Sequence, residues 1–215
     1  MLDGIRFDER GLVPCVAQDF ASGEVLTLAY MSAESLQLTV DTGEVHFFSR
    51  SRGEVWRKGE TSGNVLRLRG LRFDCDGDSI VALVDPAGPA CHTGERSCFY
   101  RDLGGSAATA PDSPPAPGEP EPAAHEALAV LERTLLARAT ERPPGSYSVE
   151  LLDDPDRIGR KIAEEAEEVV RAGREESDER VAEEAADVLY HLGVLLASRR
   201  VRQARVMEVL NARRR

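Results

Sequence analysis

The sequence lacks any long run of apolar residues. The longest run lies near Val188 to Ala197, where His191 interrupts it, and it is far short of the roughly 18 residues that a membrane-spanning helix needs. The start of the chain also lacks the apolar core of a secretory signal, since Asp3 and Arg6 follow closely on Met1. We therefore expect a soluble, cytoplasmic protein with no membrane partner.

Basic residues are in the minority, because 27 lysines and arginines face 38 aspartates and glutamates, for a net charge of −11. Binding to a nucleic-acid backbone is driven by clustered Lys and Arg side chains, so this balance argues against a nucleic-acid partner. It does not exclude small phosphorylated substrates, which local basic groups or bound divalent cations can hold.

Cysteine is scarce, with four residues in the chain. Disulfides are rare in the reducing compartment that we expect, which leaves metal ligands, nucleophiles or buried thiols as roles. Cys75, Cys91 and Cys98 stand among aspartates, a histidine and hydroxyl-bearing residues. Cys15 has no such neighbours, and we interpret it as a buried small hydrophobe.

Large apolar residues are missing from residues 105–122, which read GSAATAPDSPPAPGEPEP and include six prolines. Such a stretch cannot bury enough surface to offset the entropy of ordering it, and proline holds it extended. We predict an interdomain linker, which divides the chain into a domain at 1–104 and a domain at 123–215.

The first domain is predicted to be mainly β. Short β-rich runs are separated by turn pairs such as Ser22-Gly23 and Asp76-Gly77. The predicted strands are Leu12–Asp19, Val25–Tyr30, Val45–Ser49, Val65–Arg72 and Ser79–Asp85. One helix is predicted from Ser32 to Asp41, because the Ser32 side chain can cap its N-terminus. We expect a compact, mainly-β (α+β) metal-binding domain.

The second domain is predicted to be helical. Apolar spacing near 3.6 residues predicts helices at Glu126–Ala139, Arg157–Arg174, Asp178–Ser198 and Arg202–Ala212. Pro143-Pro144-Gly145 separates the first helix from a short irregular stretch. An all-α helix-bundle domain of this size is too thin to bury all its apolar surface, and pairing with a second copy would solve this. We therefore expect a multidomain chain that forms a homodimer.

Three aspartates and a cysteine lie within five residues, at Asp74, Cys75, Asp76 and Asp78. Carboxylate oxygens suit Mg²⁺, whereas a thiolate suits Zn²⁺. The alternative is a solvated acidic turn without a metal ion. An EF-hand calcium loop is not expected, because no glutamate stands at the twelfth position and a cysteine interrupts the ligands.

Two more cysteines stand in the segment CHTGERSC, residues 91–98. Cys91 and Cys98 are not spaced like a zinc knuckle, but with Cys75 they raise the number of sulfur ligands to three. Three protein ligands leave a fourth position for water, which is the catalytic pattern, and zinc makes such a water hydroxide at neutral pH. His92 is then a candidate general acid or base. The alternative is a hydrogen bond from His92 that supports a ligand.

Polar and basic side chains crowd residues 47–64, which read FFSRSRGEVWRKGETSGN. Hydroxyls, glycines and basic groups at this density suit a phosphate cradle in an otherwise acidic protein. The alternative is an ordinary polar hairpin. The candidate substrate-binding residues are Ser49, Arg50, Ser51, Arg52, Trp56, Lys58, Glu60, Thr61, Ser62 and Gly63.

This segment, with FDCDGD (73–78) and GPACHTGERSCFYR (88–101), resembles the diagnostic motifs of phosphoribosyl-AMP cyclohydrolase in order and spacing. The resemblance covers nearly all of residues 1–104. It implies a dimer in which zinc is held by Cys75 of one subunit and by Cys91 and Cys98 of the other, with Mg²⁺ at the three aspartates. It also implies that zinc-bound hydroxide attacks the adenine ring carbon beside N1 and opens the ring. His46 fits the position of an active-site polar group.

Two helices of the second domain carry an apolar stripe with carboxylates along one edge. The stripes comprise Ile158, Ile162, Ala166 and Val169, and then Val181, Ala185, Val188, Leu192 and Leu196. The edges comprise Lys161, Glu164, Glu165 and Glu168, and then Glu184, Asp187 and His191. Antiparallel packing would bring the two edges together, and clustered like charges repel unless a cation lies between them.

A magnesium ion bound between these helices can bridge a triphosphate and position water for attack. We interpret Glu165 and Glu168 as catalytic residues and Lys161 as a substrate-binding residue. The candidate magnesium ligands are Glu164, Glu165, Glu168, Glu184 and Asp187. The alternative is a Glu-rich surface helix, in which Lys161 and Glu165 form an ordinary i,i+4 ion pair.

The pattern Glu-Glu-x-x-Glu followed by Glu-x-x-Asp resembles that of all-α nucleotide pyrophosphohydrolases. More narrowly, SYSVELLDDPDRIGRKIAEEAEEVV (146–170) and EEAADVLYHLGVLL (183–196) resemble phosphoribosyl-ATP pyrophosphohydrolase. The chain departs from that family at Glu150, where relatives usually carry lysine, and at Asp153-Asp154, where glycine is frequent. Any phosphate contact that the lysine makes in relatives is therefore in doubt here.

The two resemblances together imply a bifunctional hydrolase of histidine biosynthesis that uses Zn²⁺ and Mg²⁺. The second domain would convert phosphoribosyl-ATP to phosphoribosyl-AMP and pyrophosphate, and the first would open the adenine ring of the product. One alternative is a house-cleaning nucleoside triphosphate pyrophosphohydrolase fused to a zinc-binding module. Another is a non-enzyme, in which a zinc-stabilised interaction module is joined to a dimerising bundle.

Overall fold

The computed structural model describes residues 4–101 and 123–213. The chain divides into two compact units, one on each side of the interval between these ranges, and each has a hydrophobic core of its own. The predicted two-domain layout is therefore confirmed. The predicted linker, residues 105–122, lies outside the described residues.

The N-terminal unit is built on one six-stranded sheet. Its elements are β1 (Leu12–Asp19), β2 (Val25–Ser32), α1 (Ala33–Thr42), β3 (His46–Ser49), β4 (Glu54–Arg57), β5 (Leu66–Phe73) and β6 (Ile80–Pro86). The strands stand in the order β4-β3-β2-β1-β6-β5, and every pair is antiparallel except β1 with β6. Because β1 and β6 are parallel neighbours, their C-terminal ends lie side by side. The β1–β2 turn and the segment that follows β6 are therefore close together.

Local sequence signals account for most of these elements. In β1, Val13, Cys15 and Ala17 are fully buried and alternate with less buried positions, which is the pattern of a strand with one face on a core. Helix α1 begins after Ser32, whose side chain accepts a hydrogen bond from the Ser35 amide while the Ser35 hydroxyl accepts one from the Ser32 amide. Strand β4 was not predicted, since it is four residues long and both of its ends are charged.

The C-terminal unit is helical, as predicted. Its described helices are α2 (Ala127–Glu141), α3 (Tyr147–Leu152), α4 (Pro155–Glu175), α5 (Asp178–Ser198) and α6 (Gln203–Ala212), after a 3-10 turn at Ala124–Glu126. The prediction of an irregular stretch after the first helix is wrong where α3 forms, because six residues are too few to show a helical period. Within the described ranges, no helix is long and apolar enough to cross a membrane.

Helices α4 and α5 form a hairpin whose inner faces differ from the predicted stripes. On α4, Ile158 and Ala172 are buried, whereas Ala166 is exposed and Glu165 is only 7% exposed. On α5, the predicted stripe is half-buried throughout, while Glu184 and His191 are 3% and 5% exposed. The inner faces therefore include Glu165 and Glu184, which the predicted pattern put at an edge.

Candidate active sites

The acidic segment forms the tight turn between β5 and β6. The Asp74 carboxylate accepts hydrogen bonds from the amides of Asp78 (3.0 Å) and Ser79 (3.2 Å). Loss of hydration favours the neutral acid, but hydrogen bonds from Ser79, Asp78 and Gly77 outweigh it and hold the pKa of Asp74 below its usual value. Asp74, Asp76 and Asp78 are all exposed, and one oxygen of each lies within 4.8 Å of the others. The turn thus presents three carboxylates together.

The N-terminal segment of the chain holds this turn from behind. Gly77 has a φ of +79°, and a Cβ built on it would lie 2.0 Å from the Gly4 carbonyl oxygen. The Arg6 amide donates a hydrogen bond to the Gly77 carbonyl (2.6 Å). Only glycine fits this position, because it combines a left-handed backbone with a close approach of another segment.

The segment after β6 folds back on itself and brings two cysteines together; we call residues 91–98 the cysteine loop. The Ala90 amide donates to the Arg96 carbonyl (3.0 Å), and the Cys91 amide donates to the Glu95 carbonyl (3.0 Å). At the other end of the loop, the Cys98 amide donates to the Leu26 carbonyl of β2 (2.8 Å). The Cys91 and Cys98 thiols come close enough as a result for each to influence the pKa of the other.

The two thiols of the cysteine loop have different electrostatic surroundings. Burial opposes ionisation of Cys91, but hydrogen bonds from the hydroxyl and amide of Thr93 outweigh it and lower its pKa. The Thr93 Oγ lies 3.0 Å from the Cys91 sulfur. Burial raises the pKa of Cys98, although its contacts with Thr27 and the charge of Lys58 act in the opposite direction. Cys91 is therefore the more readily ionised of the pair.

Cys75 does not join the other two cysteines within the chain. It is exposed on the β5–β6 turn, and all four cysteines are free. In residues 4–101 and 123–213, no cluster of three or more close metal-binding side chains includes a cysteine. A zinc site that contains all three thiols would therefore need the Cys75 of a second chain, as the resemblance to the cyclohydrolases implies.

A cavity of about 480 Å³ opens beside the cysteine loop, and a second of about 330 Å³ shares two of its wall residues. Cys91, His92 and Gly94 form one wall of the larger cavity. Eight of the ten predicted substrate-binding residues line one cavity or the other: Ser49, Arg50, Arg52, Trp56, Lys58, Glu60, Thr61 and Ser62. Ser51 and Gly63 line neither. The polar hairpin that was the alternative is present, since β3 and β4 pair antiparallel, and residues of this hairpin line the cavities. The two possibilities are therefore compatible, and the binding of phosphate there stays a prediction.

Tyr30 and Asn64 are polar wall residues that are absent from the predicted substrate-binding set. Tyr30 lies opposite Phe48 where β2 pairs with β3, and the Arg50 guanidinium lies 4.0 Å from the centre of the Tyr30 ring. Asn64 lines the larger cavity, and its side chain packs over Gly88, where a Cβ would lie 2.4 Å from the Asn64 Oδ1. Neither contact has a local signal, because Tyr30 and Gly88 are distant in sequence from their partners.

The two candidate histidines of this domain lie in different places. His92 is exposed at the cavity wall, with its Nδ1 3.9 Å from the Cys91 sulfur. This position is compatible with both roles considered for it, proton transfer and support of a ligand. His46 lines neither cavity, and its Nδ1 lies 2.8 Å from the Glu44 carbonyl. Its role at the site stays a prediction.

In the C-terminal domain, three of the five candidate carboxylates meet. Oxygens of Glu165, Glu168 and Glu184 all lie within 4.8 Å of one another across the α4–α5 hairpin. Burial raises the pKa of Glu184, and its contacts with Glu168 and Glu165 act in the same direction against the charge of Arg180. The three groups therefore form a crowded, partly buried acidic cluster, which we call the glutamate cluster.

Basic side chains balance the glutamate cluster from both helices. The Lys161 ammonium lies 2.8 Å from Glu164 and 3.4 Å from Glu165, and hydrogen bonding to Glu164 raises its pKa. Arg180 forms an ion pair with Glu184 one turn along α5. The predicted i,i+4 pair of Lys161 and Glu165 is therefore present, together with the facing carboxylates.

The remaining candidate ligands lie outside the cluster. Glu164 is exposed and paired with Lys161, and Asp187 is exposed on α5. Their roles as metal ligands stay predictions. The residues that depart from the family pattern form ion pairs of their own: Glu150 lies 3.6 Å from Arg157, and Asp153 pairs with Arg142.

His191 is buried beside the glutamate cluster. Its Nδ1 lies 2.8 Å from the Asp187 carbonyl and 3.9 Å from a Glu165 oxygen, and its Nε2 lies 3.4 Å from the Tyr147 hydroxyl. The rings of Tyr147 and Tyr190 both meet the imidazole edge-on. The sequence pattern put His191 on the polar edge of α5, but it did not indicate this contact with α3.

Two family models match the chain, one on each domain. Residues 27–100 match the model of phosphoribosyl-AMP cyclohydrolase, which spans the cavity walls, the acidic turn and the cysteine loop. Residues 128–214 match the model of phosphoribosyl-ATP pyrophosphohydrolase, which spans the glutamate cluster. The second match favours phosphoribosyl-ATP as the substrate of this domain over the nucleoside triphosphates of the house-cleaning alternative.

Curated relatives match nearly the whole chain, across both domains. The histidine biosynthesis bifunctional protein HisIE of Bacillus subtilis is 43% identical over 98% of this chain and 95% of its own. The HisIE protein of Parasynechococcus marenigrum is 44% identical over 99% and 94%, and that of Thermus thermophilus is 45% identical over 91% and 86%. The chain therefore belongs to the family of bifunctional HisIE proteins of histidine biosynthesis, with a phosphoribosyl-AMP cyclohydrolase domain followed by a phosphoribosyl-ATP pyrophosphohydrolase domain.

Proposed function

We propose that the two reactions of the family take place at the two clusters described above. The C-terminal domain releases pyrophosphate from phosphoribosyl-ATP at the glutamate cluster. The N-terminal domain then opens the adenine ring of the phosphoribosyl-AMP in the cavity beside the cysteine loop. The observation that carries the proposal is the convergence of each motif set in its own domain: the Cys91 thiol lies at the wall of a cavity with Arg52 and Lys58, and three carboxylates meet between two helices.

The donors of the cysteine loop fit a zinc ion. Cys91 and Cys98 are in mutual contact, and Thr93 stabilises the thiolate form of Cys91. A third thiolate in the set would be the partner's Cys75, which makes the site a product of homodimer formation. Zinc held by three thiolates supplies Lewis-acid chemistry that makes water nucleophilic near neutral pH.

The cavity residues bind the nucleotide and move its protons. Arg52 and Lys58 supply positive charge for the phosphate group, and the Trp56 ring offers a face on which the purine can stack. His92 stands next to Cys91 at the wall, within reach of the ring atoms that gain and lose protons when the ring opens. These residues hold the adenine ring against the thiol pair.

The acidic turn fits a hard divalent cation such as Mg²⁺. Its three carboxylates are exposed and close together, and Asp74 is held in its ionised form by backbone amides. A magnesium ion bound by Asp74, Asp76 and Asp78 would offset the negative charge that the substrate phosphate brings. The same turn carries Cys75, so the two metals would be neighbours across the dimer interface.

The glutamate cluster fits Mg²⁺ for the same reason and with more burial. Glu165, Glu168 and Glu184 are its central candidates, with Glu164 and Asp187 at its margin. Magnesium held there would supply positive charge that offsets the phosphates of phosphoribosyl-ATP. Glu165 and Glu168 would orient the attacking water and accept its proton, and Lys161 would contact the phosphate chain.

The proposal extends to assembly and compartment. Half-buried apolar side chains on α5 leave a face that a second copy would cover, in agreement with the homodimer that the zinc site needs. Three free thiols that serve as ligands must stay reduced, which favours the cytoplasm.

A paired activity assay tests the two assignments. The wild-type chain, supplied with phosphoribosyl-ATP, Mg²⁺ and Zn²⁺, should release pyrophosphate and form the ring-opened product. Cys91→Ala should reduce ring opening by about 100-fold or more while pyrophosphate release is unchanged. Its matched control is Cys15→Ala, which removes a thiol outside both sites and should leave both activities intact.

Glu168→Gln should have the reverse effect. Pyrophosphate release should fall by about 100-fold or more, while ring opening of supplied phosphoribosyl-AMP is unchanged. Glu167→Gln is the control, because Glu167 is the exposed neighbour on the same helix. Full ring opening by Cys91→Ala, or full pyrophosphate release by Glu168→Gln, would show that the corresponding cluster is not the active site.

A further inference from the structure

A buried carboxylate lies at the turn between β1 and β2. Asp19 is only 4% exposed, and the side chain of Glu24 at the other end of the turn is largely buried as well. Burial of a carboxylate is unfavourable unless a cation pairs with it. The cation here is Arg96, whose Nη2 donates to Asp19 and whose Nε donates to Glu24. An arginine of the cysteine loop is thus held by a turn that lies more than 70 residues earlier in the sequence.

The turn is shaped in advance to receive this side chain. The Asp19 amide donates to the Glu24 carbonyl (2.9 Å), and the Gly23 amide donates to the Asp19 carbonyl (2.9 Å). The second oxygen of the Asp19 carboxylate accepts the Ala21 amide (2.8 Å). These bonds fix the turn and the Asp19 carboxylate, so the guanidinium meets an acceptor that is already in place.

The cysteine loop has few other attachments. Residues 92–95 are all exposed, so the loop has no core of its own. Its C-terminal end is tied to β2, through the Cys98 amide on Leu26 and the Ser97 hydroxyl on Val25 (2.7 Å). Its N-terminal end closes on the Arg96 carbonyl, which accepts the Ala90 amide next to Cys91. Arg96 therefore links both ends of the loop to the sheet.

We propose that Arg96 is a positioning residue, which sets the distance between the Cys91 and Cys98 thiols through its ion pairs with Asp19 and Glu24. The inference rests on the proposed zinc site. Arginine suits this role better than lysine, because its planar fork reaches two carboxylates at once and a lysine ammonium is a point charge. Asp19 and Glu24 both precede the stretch that matches the cyclohydrolase model, which begins at residue 27.

The test measures metal binding by the full-length chain. Zinc affinity is determined by competition with a chromogenic chelator, and Co²⁺ is used as a second probe because its visible ligand-field bands report on geometry at the thiolates. Arg96→Gln should weaken zinc binding by about 10- to 100-fold, as loss of a group that orients metal ligands usually does. Arg96→Lys should fall between this variant and the wild type.

A matched control removes an ion pair from the same domain. Arg57→Gln loses a partly exposed pair with Glu44 (2.9 Å) and should bind zinc and Co²⁺ as the wild type does. Pyrophosphate release by the other domain should be unchanged in every variant. A loss of zinc affinity in Arg57→Gln equal to that in Arg96→Gln would overturn the inference.

A double variant separates position from stability. Arg96→Gln leaves Asp19 buried without its cation, so the metal-free protein should melt at a lower temperature. Asp19→Asn with Arg96→Gln removes that unpaired charge and should recover much of the melting temperature, while zinc affinity and the Co²⁺ bands stay altered. Recovery of zinc affinity along with the melting temperature would instead mean that Arg96 acts only on stability.

The two proposals fail in different ways. If the wild-type chain binds no zinc at the cysteine loop, the proposed zinc site is wrong and the inference fails with it. If the wild type binds zinc and Arg96→Gln binds it within about twofold, the zinc site stands and only the positioning role is overturned.

Discussion

At the scale of single residues, the pKa values of two buried cysteine thiols are shifted in opposite directions, because their surroundings differ. Cys15 is buried among apolar residues between β1 and β6, and this burial raises the pKa of its thiol from 9.0 to about 12. Burial also opposes ionisation of Cys91, but the Thr93 hydroxyl and amide reverse the outcome and lower its pKa. A thiol whose burial outweighs its backbone hydrogen bond is therefore inert core, whereas one whose hydrogen bonds outweigh burial is a candidate ligand.

The pKa of Cys15 predicts a weakness of the fold at alkaline pH. In the unfolded chain this thiol ionises near 9.0, whereas in the folded protein it stays protonated until about 12. Between these values the unfolded state binds fewer protons, so the free energy of unfolding should fall as pH rises. Cys15→Ala should cost roughly 1 kcal/mol at neutral pH, through the cavity that it leaves, and should make this fall shallower.

Urea unfolding followed by circular dichroism, at neutral pH and at about pH 10.5 with a chelator present, measures this difference. Identical losses of stability in the wild type and in Cys15→Ala would contradict the assignment of a raised pKa to the buried thiol.

At the scale of elements, the loop between β4 and β5 is fixed by backbone contacts rather than by a core. Gly59 and Gly63 both have a positive φ, and the Gly63 amide donates to the Gly59 carbonyl (2.8 Å). The Asn64 backbone lies directly against Gly59, so that a Cβ there would be 2.4 Å from the Asn64 carbonyl. The loop that supplies Glu60, Thr61 and Ser62 to the cavity wall is therefore held by backbone hydrogen bonds and by the close contact at Gly59.

We expect Gly59→Ala to reduce ring opening by about tenfold or more, because the added methyl group must displace the Asn64 backbone and with it the cavity wall. Gly53→Ala is the matched control: its φ is also positive, at 72°, but nothing lies within 4 Å of the added Cβ. It should cost about 1 kcal/mol of stability and leave ring opening intact. Steady-state assays on phosphoribosyl-AMP, with pyrophosphate release as an internal reference, measure both. Equal activity of the two variants would show that the contact at Gly59 does not shape the cavity.

At the scale of the whole molecule, one chain carries two unlike chemistries in two units, each with its own core and its own acidic or thiol cluster. The proposed zinc site would be incomplete within one chain, since Cys75 is not clustered with Cys91 and Cys98 in the described residues. The C-terminal glutamate cluster is assembled within one hairpin. The two activities should therefore depend differently on subunit pairing.

Subunit mixing tests this dependence. Cys75→Ala and Cys91→Ala should each lack ring opening, but a mixture that is allowed to exchange subunits should regain about a quarter of the wild-type activity. Half of the dimers would then be mixed, and each mixed dimer would have one intact site, with Cys75 from one subunit and Cys91 and Cys98 from the other. A mixture of Cys91→Ala with Cys98→Ala should regain none and serves as the control. Ring opening that stays absent in the first mixture, despite demonstrated exchange, would mean that the ligands do not come from two subunits.

The linear sequence by itself determined the division into a β domain and an α domain and most strand and helix bounds, and it supplied the candidate reactive residues. Strand β1 and helix α5 lie at the predicted residues, because side-chain alternation and the Ser177 cap are local properties. Short elements such as β4 and α3 escaped prediction, since four or six residues are too few to show a period. The cysteine and carboxylate motifs were readable because each lies within a few residues of chain.

Only the tertiary structure decided which of these residues meet. The way in which α4 packs against α5 brings Glu165, Glu168 and Glu184 together and leaves Glu164 and Asp187 outside, although all five were candidate magnesium ligands in the sequence. Arg96 meets Asp19 because β1 and β6 are parallel neighbours, which puts the β1–β2 turn beside the cysteine loop. Such contacts depend on strand order and helix rotation, which are set by the packing of the whole core, and no local pattern encodes them.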